Sequence, residues 1–162
     1  MVEIRARHEG DGGAVAGRLR LPFEMRRRSR QRATLESGEE VAVILTRGEV
    51  LRGGDRVVAG DGRIIEVVAE AESVMHVECA SPEALARIAY HLGNRHVAVQ
   101  VGAGWLRFVA DAVLAKMVEG LGARVATLQA PFEPEPGAYA LHHRHDNESG
   151  HGGRIHEFPS RP

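Results

Sequence analysis

The chain has 162 residues, a hydrophobic share of 43% and a formal net charge of −1. This supplies one ordinary core or two small ones, and it excludes wholesale disorder and a protein whose main task is electrostatic binding to nucleic acid. A single cysteine, Cys79, excludes an intramolecular disulfide framework and a cysteine-based zinc finger, while nine histidines form the unusual excess.

The N-terminus, Met1-Val2-Glu3-Ile4-Arg5, has no long apolar stretch, and no apolar run approaches the roughly 20 residues needed to span a bilayer. A soluble cytoplasmic protein with no membrane partner is expected. Residues 1–73 show short apolar runs, such as Glu40-Val41-Ala42-Val43-Ile44-Leu45 and Ile64-Ile65-Glu66-Val67-Val68. Ser37-Gly38, Gly53-Gly54-Asp55 and Gly60-Asp61-Gly62 separate them, supplying the positive φ angles that tight turns need. This half reads as an all-β domain. Within it, residues 26–32, Arg-Arg-Arg-Ser-Arg-Gln-Arg, form the one strong charge cluster. The cluster fits either an acidic or phosphate-bearing partner or a solvated strand edge protected by charge. No aromatic residues interleave with it, which weakens a single-stranded RNA reading.

Near Val74 the pattern changes. Residues 74–79 read as a strand, and Ser81-Pro82-Glu83 combines an N-cap, a proline at the first helical position and an acid in the first turn. The helix is expected to reach Leu92 and to end on a left-handed Gly93. A strand opening at His96 would place Val97, Val99 and Val101 on one face and His96, Ala98 and Gln100 on the other. Gly102-Ala103-Gly104 reads as a hairpin loop, residues 105–109 as a strand, residues 111–121 as a helix closed by Gly122, and residues 124–129 as a last strand. Residues 84–101 align on 113–130 without gaps, matching Leu92 with Leu121, Gly93 with Gly122 and Arg95 with Arg124. Such a duplication points to a ferredoxin-like βαββαβ domain over residues 74–141. The expected class is therefore α+β, closed by a flexible histidine-rich tail over residues 142–162.

Two features carry candidate chemistry. His96 is either a metal ligand on an open sheet face or an ordinary solvated strand-edge histidine. A two-fold axis near it would turn one imidazole into two ligands. His142, His143 and His145 offer further imidazoles, which suit nickel, copper or zinc. His91, at a helix end, fits dipole stabilisation better than metal binding. His8 and His76 stand alone in strands, and Cys79 reads as a small buried residue. No nucleophile-and-base arrangement is evident, so an enzyme is not expected.

Residues 89–96, Ala-Tyr-His-Leu-Gly-Asn-Arg-His, residues 111–117, Asp-Ala-Val-Leu-Ala-Lys-Met, and residues 130–139, Ala-Pro-Phe-Glu-Pro-Glu-Pro-Gly-Ala-Tyr, resemble the UreE urease accessory protein family of nickel metallochaperones. Residues 46–55 resemble that family's first domain. The resemblance implies a homodimer formed through the second domain, with Ni2+ held by His96 from each chain and by tail histidines such as His142, His143 or His145. Zn2+ or Cu2+ would be admitted at the same site. It also implies delivery to apo-urease in an assembly with the UreG GTPase. Some members carry two histidines flanking the aspartate before the second helix. Ala110 and Ala112 stand there in this chain, so that extra site is expected to be missing. A nickel or zinc storage protein and an RNA-binding module using the arginine run are the competing readings.

Overall fold

Alternating apolar residues in the N-terminal half become the inward side of a sheet. A computed structural model of the chain describes residues 1–10 and 12–137. The first sheet comprises β1 (Val2–Arg7), β2 (Val15–Leu21), β3 (Arg30–Thr34), β4 (Glu40–Ile44), β5 (Arg56–Ala59) and β6 (Ile64–Ala69), in the order β2-β6-β5-β1-β4-β3. Pairs β1–β4 and β2–β6 are parallel, and the other pairs are antiparallel. Ile4, Val41, Val43, Val57, Ile65 and Val67 fill the core with at most 1% of their surface exposed. The expected turns at Gly38, Gly54 and Gly62 have φ of 88°, 87° and 85°. A single helical turn, α1 (Phe23–Arg26), interrupts the all-β pattern.

The second half is β7 (Ala71–Glu78), α2 (Pro82–Gly93), β8 (Gln100–Gly102), β9 (Trp105–Val109), α3 (Ala112–Gly120) and β10 (Arg124–Pro131). Its antiparallel sheet has the order β10-β7-β9-β8, which gives the expected ferredoxin-like arrangement. Local chemistry starts both helices. The Ser81 hydroxyl accepts from the Ala84 amide at 3.2 Å, and one Asp111 carboxylate oxygen accepts from the amides of Val113 and Leu114 at 2.8 and 2.9 Å. Hydrogen bonds from its own backbone amide and from Ser81 hold the Glu83 carboxyl below the usual carboxylate range.

The helices cover one face of this sheet, where Ile88, Leu92 and Val118 meet Val77, Leu106 and Phe108. On the other face Val74 joins Phe23 and Phe132 in a separate apolar cluster, where the first sheet's short helix meets the second half. No helix among the described residues is long and apolar enough to cross a membrane.

Candidate metal centre

The region of His96 departs from the expected strand. Residues 94–96 form a turn, regular pairing begins only at Gln100, and His96 is exposed. Gly93 remains helical, and His96 has φ 55°, the one positive φ of a non-glycine residue among those described. The hydrogen bonds explain why. The His96 amide donates to Gly93 O at 2.9 Å, and the Val97 amide donates to Leu92 O at 3.2 Å. This is the six-to-one and five-to-two pattern of a Schellman cap, with His96 where glycine usually stands. Val97 and Leu92 share the same apolar core, which supplies the accompanying hydrophobic contact.

The left-handed conformation disfavours a side chain by roughly 1–2 kcal/mol, although histidine tolerates it better than most residues. Such a residue persists only where its surroundings over-determine it, and strained positions of this kind cluster at functional sites. The expected alternation survives beside it without a ladder: Val97 and Val99 pack into the helix-side core, while Ala98 packs with Phe23, Val74 and Phe132.

Around this turn, the Arg95 guanidinium donates from Nη1 to His91 O at 3.0 Å, satisfying a carbonyl of the last helical turn. His91 lies edge-on to the exposed Tyr90 ring at 5.5 Å. Among the described residues, no three histidine, cysteine, aspartate or glutamate side chains assemble into a group able to hold a metal. His142, His143 and His145 lie outside the described residues.

The remaining candidates have other partners. His8 Nε2 bonds Gly12 O at 2.7 Å. His76 Nδ1 accepts from Arg107 Nε at 3.1 Å, and the same guanidinium lies 4.5 Å over the Trp105 ring. Nothing local in the sequence indicates that β9 will bring Arg107 and Trp105 to the side of His76. Cys79 is half-buried, and burial pushes its thiol pKa up, which disfavours the reactive thiolate.

The arginine run does not act as one surface. Arg26 is fully buried and donates to Leu21 O at 3.2 Å, Leu51 O at 3.1 Å, Phe132 O at 2.5 Å and the Glu133 carboxylate at 2.8 Å. Arg27, Arg28, Arg30 and Arg32 are exposed, the last two on β3 at the sheet edge. The i, i+3 spacing of Phe23 and Arg26 on one helix face was the available signal for this split.

A β half joined to a ferredoxin-like half that carries an exposed imidazole on a hydrogen-bonded turn defines a two-domain α+β protein. Comparison with known sequences then specifies the family. The family model described as UreE urease accessory protein, N-terminal domain, matches residues 3–70, and the model for the C-terminal domain matches residues 72–158. The chain is 51% identical over 150 residues to the urease accessory protein UreE of Ectopseudomonas mendocina (strain ymp), covering 90% of each chain. It is 57% identical over 121 residues to the protein of that name from Alkalilimnicola ehrlichii, covering 75% of this chain and 74% of the relative. Against the Cupriavidus necator protein of that name, identity is 52% over 134 residues, with 83% and 70% covered. The chain belongs to the UreE urease accessory protein family.

Proposed function

We propose that this chain is a nickel metallochaperone, not an enzyme, that carries Ni2+ to apo-urease during assembly of the urease active site. The observation that carries the reading is His96: an exposed imidazole held in a left-handed turn by the backbone bonds that close α2. A histidine kept in a conformation better suited to glycine has a side-chain role to offset the strain. Family membership supplies the link to urease maturation.

One imidazole is too few for a carrier site. In the proposed homodimer a two-fold axis beside His96 brings two copies to one ion, and His142, His143 or His145 adds further nitrogen ligands. In this reading residues 1–73 bind partners, residues 74–141 bind metal and dimerise, and residues 142–162 supply the additional ligands. Neutral imidazole suits Ni2+ and also Zn2+ or Cu2+. Because protons compete for the same lone pair, the ion is exchangeable. Transfer then proceeds by ligand exchange within a cytoplasmic assembly containing the UreG GTPase and apo-urease.

Equilibrium dialysis with elemental analysis tests the site. The intact protein is expected to retain about one tightly held nickel per two chains, as a two-fold site requires, and the His96→Ala variant to lose it. Full urease activation at limiting nickel by His96→Ala protein would overturn the proposal. Retention of UreG from urease-expressing cells separates delivery from storage.

A further inference from the structure

The N-terminal half covers only part of the second sheet's face opposite the helices. Val74 packs there with Phe23 and Phe132, whereas its cross-strand neighbours Val109 and Leu128 are 45% and 37% exposed. Residues directly opposite one another share a face, so two further rows extend it: His76 with Arg107 and Ala126, and Glu78 with Trp105 and Arg124. None of these six is fully buried. Arg107 is fixed in their midst. Its Nε donates to His76 Nδ1 at 3.1 Å, its guanidinium lies 4.5 Å over the Trp105 ring, and that ring is 5.3 Å from the imidazole. The buried or half-buried Arg7, Arg26, Arg52 and Arg63 each pair with a carboxylate. Arg107, also half-buried, pairs with none among the described residues, and its Nη1 and Nη2 donate to no protein group there.

We propose that Arg107, laid on Trp105 and held by His76, anchors a docking face for a carboxylate-bearing surface of a partner protein, with one partner carboxylate taken by the two free Nη groups. A guanidinium held on an indole keeps its fork in one orientation, which lowers the ordering cost of a bidentate carboxylate bond. Tryptophan and arginine beside exposed apolar side chains are also the composition of interface anchors. The charge on the face selects the occupant. Arg124 is paired with Glu78 at 2.8 Å, and His76 accepts through Nδ1 as a neutral imidazole, which leaves Arg107 as a single uncompensated charge. One carboxylate balances it, whereas a polyanionic phosphate backbone would also meet the Glu78 carboxylate. The delivery reading enters only through the identity of the partners used in the test.

Isothermal titration calorimetry of the full-length chain against purified UreG GTPase, and against apo-urease, tests the face. The variants are Arg107→Met, Arg107→Lys and, as a control of equal charge change on the first sheet, Arg20→Gln. Thermal unfolding checks each fold, and Arg107→Lys carries the test alone if Arg107→Met is unfolded at the assay temperature. At least one partner is expected to bind Arg107→Met about tenfold or more weakly than the unaltered chain. Arg107→Lys is also expected to bind more weakly, because lysine has no fork, and Arg20→Gln to bind unchanged. Full affinity in either folded Arg107 variant, or an equal loss in Arg20→Gln, would overturn the proposal. Sedimentation equilibrium of the chain alone covers the other occupants: weakened self-association of Arg107→Met would give the face to a second copy and overturn the proposal, as would Arg107-dependent binding of single-stranded RNA. The two readings fail differently. A partner that binds the unaltered chain and both Arg107 variants alike removes the face and leaves delivery standing, whereas an unaltered chain that binds neither partner removes both.

Discussion

The amide of Val97 reaches back five residues to the carbonyl of Leu92, at 3.2 Å, and closes α2 with His96 inside the loop. That one bond explains why Gly93 stays helical and why the left-handed position falls at residue 96. It also separates the stability of the turn from the chemistry of its side chain.

Replacing His96 by glycine relieves the steric conflict between Cβ and the backbone, while the added freedom of the unfolded chain subtracts part of the gain. His96→Gly is expected to raise stability by about 0.5–1 kcal/mol, and His96→Ala to give no comparable gain. Both variants should lose the tightly held nickel. Urea unfolding midpoints with equilibrium dialysis on the same samples check this; a destabilised glycine variant would contradict the strain assignment.

Arg26 and its exposed neighbours should respond differently. Removing the Arg26 side chain strips hydrogen bonds from three carbonyls and the Glu133 carboxylate. Arg26→Ala is therefore expected to lose about 2–4 kcal/mol, the range for breaking a buried charged network. Arg30→Gln and Arg32→Gln, on the exposed edge, should stay within about 0.5 kcal/mol of the unaltered protein. Chemical denaturation of the three variants measures the contrast.

Gly102 is needed because the Trp105 ring lies across it. A Cβ at Gly102 would sit 2.1 Å from Trp105 Cε2 and 2.3 Å from Cζ2. Gly102→Ala must displace the indole from its place beside Arg107 and His76. We expect a loss of about 1–3 kcal/mol from overpacking, together with a changed emission from Trp105, the chain's one tryptophan. Unaltered fluorescence would show that the ring does not rest on this glycine.

Arg63 grips two carboxylates, donating to Glu39 from Nη1 and Nη2 at 2.8 and 2.7 Å and to Asp61 from Nε at 2.7 Å. These bonds hold both carboxyl pKa values below their usual range. A lowered folded-state pKa gives stability that is present above the unfolded value and is lost as pH falls through the folded one. The Arg63→Met difference in thermal midpoint should therefore be small but present at pH 7, since the groups are partly exposed. It should shrink as pH drops below about 4. Thermal melts from pH 7 to about pH 2 check the direction.

Much of the second half was legible because its signals are local. Ser81-Pro82-Glu83 starts α2, Asp111 caps α3, the 105–109 strand has the expected bounds, and Gly122 takes φ 92° at the end of α3. The internal duplication led to the right topology and, at one point, to a wrong conformation. It equates Gly93 with Gly122, yet only Gly122 is left-handed, because the cap of α2 closes three residues later, at His96, where Val97 can bury beside Leu92. His96 consequently sits in a turn, while Val125, its aligned counterpart, lies in β10.

What the sequence determined by itself was the starts of α2 and α3, the glycine turns at 38, 54 and 62 and the strand at 105–109, since these depend on contacts spanning a few residues. Tertiary structure alone decided that His96 takes the left-handed cap, that Arg26 leaves the arginine run for the interior, and that Glu133 joins both halves. Each of those outcomes is set by which distant groups satisfy buried polar atoms and fill the core, as the 107 positions between Arg26 and Glu133 show.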